Sequence, residues 1–74
     1  MLMLLEPGEV FEHAHAEPST TTLVEGDVEF TVNGALCTLV PDEDCYVPAY
    51  ASHVLVNRGD GPAIVRCGHL DVVP

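Results

Sequence analysis

The sequence lacks lysine and tryptophan, and it is poor in positive charge, in aromatic residues and in long apolar runs. Its 74 residues carry 2 Lys+Arg, both of them Arg, against 12 Asp+Glu, for a formal net charge of −10. A field of this sign repels phosphate backbones and anionic membranes. We therefore expect neither a nucleic acid nor a membrane as a partner. The acidity fits either a solubility device or adaptation to high salt.

The apolar stretches are too short for a membrane span, which needs about 20 residues. The opening run Met1–Leu5 stops at Glu6 and has no positive flank, so we do not interpret it as a signal peptide. Hydrophobic residues are 47% and aromatic residues 5% of the chain, which predicts a globular protein with an aliphatic core. A chain of this length forms one small domain, residues 1–74, with a marginal core.

Cysteine is scarce and unpaired in its pattern. Cys37, Cys45 and Cys67 are odd in number and form no C-x-x-C motif. This pattern predicts reduced thiols, packed as small core residues in a cytoplasmic protein, rather than a disulfide framework.

The secondary-structure pattern is that of short strands separated by turns. Val28, Phe30 and Val32 alternate with polar residues, and Asn33-Gly34 then marks a tight hairpin. The remaining predicted strands follow the same kind of pattern: Leu2–Leu5, Val10–Ala16, Thr20–Glu25, Ala35–Val40, Asp44–Pro48, His53–Asn57 and Ala63–Val72. Seven or eight short strands predict an all-β sandwich or barrel.

Histidines provide the candidate functional site. His13 and His15 lie two apart on a predicted strand, so both side chains point to one face and can bind one ion. His53 begins a later strand, which a closed sheet can bring to the same place. The alternative is that these histidines are packed or solvated polar residues without a metal.

The order of these residues resembles the two sequence motifs of the cupin superfamily, in particular small single-domain proteins of the Cupin_2 type. Gly8, His13, His15 and Gly26 follow the first motif, with the first interval one residue short. Pro48, His53 and Asn57 have the spacing of the second motif. The resemblance extends from about Leu5 to Val72 and implies a jelly-roll β-barrel with a metal ion on His13, His15 and His53.

The chain departs from these motifs at three places. The usual glutamate ligand of the first motif is replaced by Ser19, with Thr20 next to it, so Glu17 is the possible fourth ligand. Asp42 and Tyr50 replace two glycines of the second motif. Because tyrosine tolerates a positive φ poorly, we expect the Ala49–Ser52 connection to differ from the family pattern.

The resemblance also implies a range of functions. Cupins with three histidine ligands include thiol dioxygenases and enzymes that cleave diketones or aromatic diols, which suggests Fe²⁺ and O₂ chemistry. The same ligands would hold Zn²⁺, Ni²⁺, Mn²⁺ or Cu²⁺. The leading hypothesis is therefore a metalloenzyme, an Fe²⁺-dependent dioxygenase acting on a small neutral or chelating molecule. The alternatives are a non-catalytic metal- or ligand-sensing module and a barrel without an ion.

Other candidate residues have weaker assignments. Tyr50 and Tyr46 are the candidate substrate contacts, each with a structural alternative. Arg66 is the only plausible cation for an anionic substrate, so a strongly anionic substrate is disfavoured. We also expect a homodimer, because short barrels expose edge strands, and we predict Met1–Leu5 as the contact.

Overall fold

The computed structural model describes residues 1–69, with the side chain of His69 excepted, and contains eight strands in that range. In chain order they are β1 (Leu2–Leu5), β2 (Val10–His13), β3 (Ser19–Glu25), β4 (Val28–Val32), β5 (Ala35–Thr38), β6 (Asp44–Val47), β7 (His53–Asn57) and β8 (Ala63–His69). The all-β prediction is confirmed. Positions 70–72 of the last predicted strand lie outside the described residues. No helix in residues 1–69 is long and apolar enough to cross a membrane.

Two four-stranded antiparallel sheets form the fold. Sheet A has the strand order β1-β8-β3-β6, and sheet B has the order β2-β7-β4-β5. Consecutive strands therefore alternate between the sheets at several places, which is the topology of a jelly roll. The predicted second strand is too long, because the structure ends β2 at His13 and leaves His15 in the following turn.

The core lies between the sheets and consists of the inward-facing residues of the strands. It is aliphatic apart from Phe30: Leu5, Leu23, Val28, Phe30, Leu39, Val47, Ala51, Leu55, Ala63 and Val65. Alternation along β7 shows how a strand contributes to this core. Leu55 is fully buried, while its neighbours Val54 and Val56 are half-buried on the other face of the strand. The same alternation along β7 places His53 on the inward-facing side of sheet B.

The predicted hairpin between β4 and β5 is present. Asn33 has φ 51° and Gly34 has φ 81°, the two positive values that a two-residue hairpin turn requires. The side-chain oxygen of Asn33 also accepts a hydrogen bond from the backbone N–H of Ser52 at 3.0 Å. The hairpin turn thus holds the segment that leads into β7 and His53.

Asp42 and Tyr50 adopt the left-handed backbone conformation that glycine would adopt easily. Their φ values are 69° and 62°. The positive φ at Tyr50 is held by its backbone N–H, which donates to the carbonyl of His15 at 2.8 Å. The Ala49–Ser52 connection therefore holds Tyr50 in the left-handed conformation that a glycine would adopt easily.

Asn57 joins three backbone segments at the end of β7. Its side-chain nitrogen donates to the carbonyls of Leu5 at 2.8 Å and Gly61 at 2.9 Å, and its side-chain oxygen accepts from the N–H of Gly59. The side chain is buried, so these bonds satisfy groups that water cannot reach. Its role in the structure is to fix a loop and the end of β1.

The cysteine prediction is wrong for two of the three residues. Cys37 and Cys45 form a disulfide, and Cys67 is a free thiol. Cys37 lies on β5 and Cys45 on β6, which are edge strands of different sheets, so the bond crosses the sandwich. Sequence spacing does not reveal such a contact, because it depends on how the two sheets face each other. The cytoplasmic location inferred from reduced thiols loses that support and stays a prediction.

Removal of this disulfide is expected to destabilise the domain. The Cys37→Ala/Cys45→Ala variant should lose about 2–3 kcal/mol of unfolding free energy, because opening the short loop returns conformational freedom to the unfolded chain. Urea unfolding measures the loss, with Cys67→Ala as the control that keeps the disulfide. A thiol assay should find one reactive thiol in the unfolded, unreduced wild type and three after reduction. Three thiols without reductant would contradict the assignment.

Candidate metal centre

Three histidine side chains meet at one end of sheet B. His13 is the last residue of β2 and pairs directly with His53, the first residue of β7. His15 approaches them from the turn after β2. The ring centroids are 5.0 Å apart for His13–His15, 5.2 Å for His15–His53 and 5.8 Å for His13–His53. The structure therefore brings together the three histidines that the sequence selects.

The backbone on both sides of the site orients two of the rings. His15 Nδ1 lies 2.7 Å from the carbonyl oxygen of Glu17, and His53 Nδ1 lies 3.3 Å from the carbonyl oxygen of Ala51. A carbonyl only accepts hydrogen bonds, so in both neutral rings Nδ1 carries the proton and Nε2 carries the lone pair. In metal-binding histidines, the ring nitrogen that does not bind the metal typically donates a hydrogen bond of this kind.

His53 is the buried member of the group, with 3% of its surface exposed. Phe30 lies against it, at a centroid distance of 6.2 Å. Burial lowers the pKa of His53, and the neighbouring His15 and His13 lower it further, while the bond to the Ala51 carbonyl acts in the opposite direction. A neutral ring with an available lone pair is thus favoured at neutral pH.

The metal-free protein is expected to lose stability as the pH falls below about 6.5, the ordinary histidine pKa. Because the pKa of His53 is lowered in the folded state, the unfolded chain binds this proton first, and acid favours unfolding until the pH passes the folded pKa. Above this pH range His53 is neutral in both the folded and the unfolded state, so it does not make the unfolding free energy depend on pH. Urea unfolding at about pH 7.5 and about pH 5.5 tests this, above the range where carboxylates titrate. If the His53→Gln variant loses as much unfolding free energy between these two pH values as the wild type does, the prediction is wrong.

A cavity of about 470 Å³ adjoins the three rings. Residues of both sheets line it: Met1, Met3, Phe11, His13, His15, Ser19, His53, Cys67 and Gly68. Apart from the histidines, its polar side chains are the Ser19 hydroxyl and the Cys67 thiol. Burial raises the pKa of the Cys67 thiol, so the protonated form is favoured there. Among residues 1–69 the lining of the cavity is therefore mostly apolar and includes no carboxylate side chain.

Four further residues that the sequence analysis considered for the site are placed differently with respect to this cavity. Ser19 lines it, and its Oγ lies 3.5 Å from His15 Nε2. The Glu17 side chain is exposed and does not line the cavity, although its carbonyl orients His15. Tyr46 and Tyr50 are 55% and 78% exposed and lie outside the lining. The structure thus does not bring the two tyrosines to the histidine site.

The two arginines also lie away from the cavity. Arg58 forms an ion pair with Glu29 at 3.1 Å on the outside of sheet B. Arg66 is exposed on β8, between the inward-facing residues Val65 and Cys67. Neither arginine therefore lines the cavity.

Phe11, Met3 and Cys67 complete the cavity wall, although the sequence did not single them out as site residues. Phe11 lies two residues before His13 on the same face of β2, with its ring centroid 5.7 Å from that of His13. Met3 alternates with the exposed residues Leu2 and Leu4 on β1. Alternation along each strand indicates on which face of its sheet each of these residues lies. It does not show which strands face each other across the sandwich.

A transition metal ion fits the donor chemistry of the site. Three imidazoles bound at about 2.0–2.1 Å around a tetrahedral ion have centroids about 5 Å apart, close to the observed separations. Within residues 1–69, however, no group of three or more His, Cys, Asp or Glu side chains is already arranged to hold an ion. The centroid separations are thus compatible with one shared ion, whereas the donor atoms do not lie in ligating positions.

Comparison with protein families gives one match over nearly the whole chain. The model of the Cupin_2 family, a cupin domain, matches residues 1–73. No curated protein is significantly similar to the chain.

Comparison with solved structures supports the same architecture. A protein from Thermus thermophilus has a TM-score of 0.82 at 27% identity, covering 92% of this chain and 67% of that chain. A predicted oxalate decarboxylase from Thermotoga maritima has a TM-score of 0.81 at 22% identity, covering 96% and 64%. The cupin domain of an XRE family transcriptional regulator from Enterobacter cloacae has a TM-score of 0.83 at 20% identity, covering 97% and 79%. The chain spans less than two thirds of the second protein, and the last two likenesses concern the fold alone.

Proposed function

The chain belongs to the Cupin_2 family of cupin domains, and from this membership we propose that it binds a divalent transition metal ion through His13, His15 and His53, beside a cavity for a small neutral molecule. One observation carries the proposal. Three imidazoles from two separate stretches of chain meet with centroids 5.0 to 5.8 Å apart in the wall of a mostly apolar cavity.

The donor set supports this reading of the site. Neutral imidazole suits Zn²⁺, Cu²⁺, Fe²⁺ and Ni²⁺, and the Nδ1 bonds of His15 and His53 to carbonyls leave Nε2 as the donor. With Ser19 in place of the usual carboxylate, the protein supplies three neutral ligands, and the ion keeps its full charge. Such an ion, when bound, supplies Lewis-acid chemistry and open positions for further ligands.

The walls of the cavity support a neutral ligand. Arg58 is paired with Glu29, and Arg66 lies on the outer side of sheet A, so neither arginine is available to a carboxylate in the cavity. Sites that recognise carboxylates or phosphates usually commit an arginine to them. Phe11 and Met3 instead offer apolar surface beside the rings. Dianions such as oxalate, suggested by the name of one structural neighbour, are therefore not our proposed substrate.

The leading catalytic proposal is a dioxygenase that uses Fe²⁺. It is supported by the similarity of the ligand set to cupin dioxygenases with three histidines. It is also supported by the lack of a carboxylate in the described cavity wall, because isomerases and hydrolases need a general acid or base there. The residues of this chain would hold the ion, exclude water and orient an uncharged substrate.

The second proposal is a non-catalytic module that binds a metal ion or small molecule and reports its presence. The cavity favours it in one respect, because among residues 1–69 the only side-chain proton donors in its wall, apart from the histidines, are Ser19 and the Cys67 thiol. Neither the fold nor the cavity size separates a sensor from an enzyme, so turnover has to be measured.

Metal content tests the common part of both proposals. Protein purified without a histidine tag or chelator should contain, or take up, about one ion of Zn²⁺, Ni²⁺ or Fe²⁺ per chain. Bound metal should raise the unfolding free energy by about 2.7 kcal/mol when the free ion is at 100 times its dissociation constant. No uptake and an unchanged melting temperature with all three ions would contradict the metal site.

Oxygen consumption then separates the enzyme from the module. The Fe²⁺-loaded protein is tested in an oxygen electrode with uncharged diketones, aromatic diols and thiols. Uptake of O₂ that needs both the iron and one compound supports the dioxygenase. A compound that raises the melting temperature without any O₂ uptake supports the binding module instead.

A further inference from the structure

Ser19 provides the hydroxyl group in the part of the cavity wall that the structure describes. It is the first residue of β3 and is 3% exposed, and its Oγ lies 3.5 Å from Nε2 of His15. His15 Nδ1 faces the Glu17 carbonyl at 2.7 Å, so Nε2 carries the lone pair and the serine hydroxyl is the donor. Among the described side chains, His15 is therefore the acceptor that this hydroxyl faces.

The Nε2 lone pair of His15 cannot accept from the Ser19 hydroxyl and bind a metal ion at the same time. Because the metal site proposed above, on which this inference rests, makes Nε2 of His15 a ligand, ion binding takes the acceptor away from the hydroxyl. The serine stays buried, and a buried donor without a partner is costly. The ion-bound site therefore favours a ligand that brings a new acceptor to Ser19.

The acceptor that suits this hydroxyl best is an anionic oxygen bound to the ion. Hydrogen bonds from a hydroxyl to an oxygen anion are short and about twice as strong as bonds between neutral groups. A sulfur atom accepts hydrogen bonds weakly, and a neutral nitrogen whose lone pair is on the ion accepts none. The Ser19 hydroxyl thus favours oxygen ligands over thiols and over neutral nitrogen ligands.

The rest of the described cavity wall indicates what kind of molecule carries this oxygen. Phe11 and Met3 offer apolar surface, and a permanently charged group would find no arginine in the wall. A volume of about 470 Å³ admits a small molecule. The expected ligand is therefore neutral in solution and becomes an anion only at the ion, whose positive charge compensates it.

We infer that Ser19 is a specificity-determining residue of this site and favours a small apolar molecule with one acidic hydroxyl group. On binding, the hydroxyl of this molecule releases its proton to the solvent, and its oxygen binds the ion. Ser19 keeps its own proton and donates a hydrogen bond to the same oxygen. Ser19 stands where the first cupin motif usually has a glutamate. A carboxylate there would repel such an anion, whereas the serine hydroxyl attracts it.

Co²⁺ loading tests this preference without turnover, because the visible absorption of Co²⁺ changes when a further ligand binds. Acetohydroxamic acid is the oxygen probe, since it is neutral in solution and binds divalent ions as its anion. Pyridine is the matched nitrogen probe. Ser19→Ala should weaken acetohydroxamate binding at least about tenfold and change pyridine binding less than about threefold. Ser19→Thr keeps the hydroxyl and should retain most of the wild-type affinity for acetohydroxamate.

Thr20→Ala is the control for loss of a hydroxyl, because Thr20 is the next residue of β3 but does not line the cavity. It should bind both probes as the wild type does, and circular dichroism checks that each variant folds. A wild type that takes up no Co²⁺ would overturn the metal site and the role of Ser19 together. If Co²⁺ binds, equal weakening of both probes in Ser19→Ala, or a loss in Ser19→Thr as large as in Ser19→Ala, would overturn the role of Ser19 alone.

Discussion

Changing His53 to alanine is expected to weaken Zn²⁺ binding by more than about 100-fold. Loss of a residue that merely orients a ligand typically costs 10- to about 100-fold in affinity, and loss of a ligand itself should cost more. His53 is the proposed ligand that the fold holds most firmly, because it is buried beside Phe30 and bonded to the Ala51 carbonyl. Competition with a chromophoric chelator at neutral pH measures the change.

The same experiment applies to the other two histidines and has an internal control. His13→Ala and His15→Ala should show losses of the same order, since all three rings would share one ion. Ser19→Ala removes a group from the same cavity without removing an imidazole, and it should change the affinity less than about threefold. If the three histidine variants bind Zn²⁺ as wild type does, the proposed centre is wrong. A loss in Ser19→Ala as large as in His53→Ala would make the hydroxyl a fourth ligand.

Gly26→Ala is expected to cost about 2–5 kcal/mol of stability and to leave much of the protein unfolded. Gly26 has φ 101°, and a Cβ there would lie 2.7 Å from Cβ and 2.8 Å from Cα of Ala63. The left-handed conformation costs an alanine about 1–2 kcal/mol, and the overlap with the start of β8 adds about 1–3 kcal/mol. The glycine that the chain shares with the cupin motif thus has a packing role. Urea unfolding measures the loss.

Gly34→Ala is the matched control for the contact between position 26 and Ala63. Gly34 also has a positive φ, 81°, but nothing lies within 4 Å of the position that a Cβ would take. We expect a loss of about 1–2 kcal/mol from backbone strain alone. The difference between the two variants therefore measures the contact with Ala63. Equal losses in both would show that backbone conformation, and not packing, explains the glycine at position 26.

Local patterns in the sequence were sufficient to predict most of the fold. Asn33-Gly34 requires positive φ values at two successive positions, and few other local structures accept them. Alternation of apolar residues located β4 and β7 to within a residue. The histidine pair was found for a related reason, since spacing on a strand fixes the face to which His13 points.

The parts that could not be predicted depend on contacts between the sheets. The Cys37–Cys45 disulfide and the cavity wall of Met3 and Cys67 join segments that are distant in the chain or on different sheets. Alternation assigns each of these residues to a face but does not specify what lies opposite. His15 was expected on β2 and instead lies in the turn, where the Glu17 carbonyl orients its ring.

The disulfide affects how readily the protein is expected to aggregate. Strands at the edges of sheets are where chains add to one another during aggregation, and fibrils grow once such a strand peels away. Cys37 and Cys45 fasten two of the four edge strands, β5 and β6, to each other. A reducing buffer therefore releases both at once, and storage under oxidising conditions should delay fibril formation.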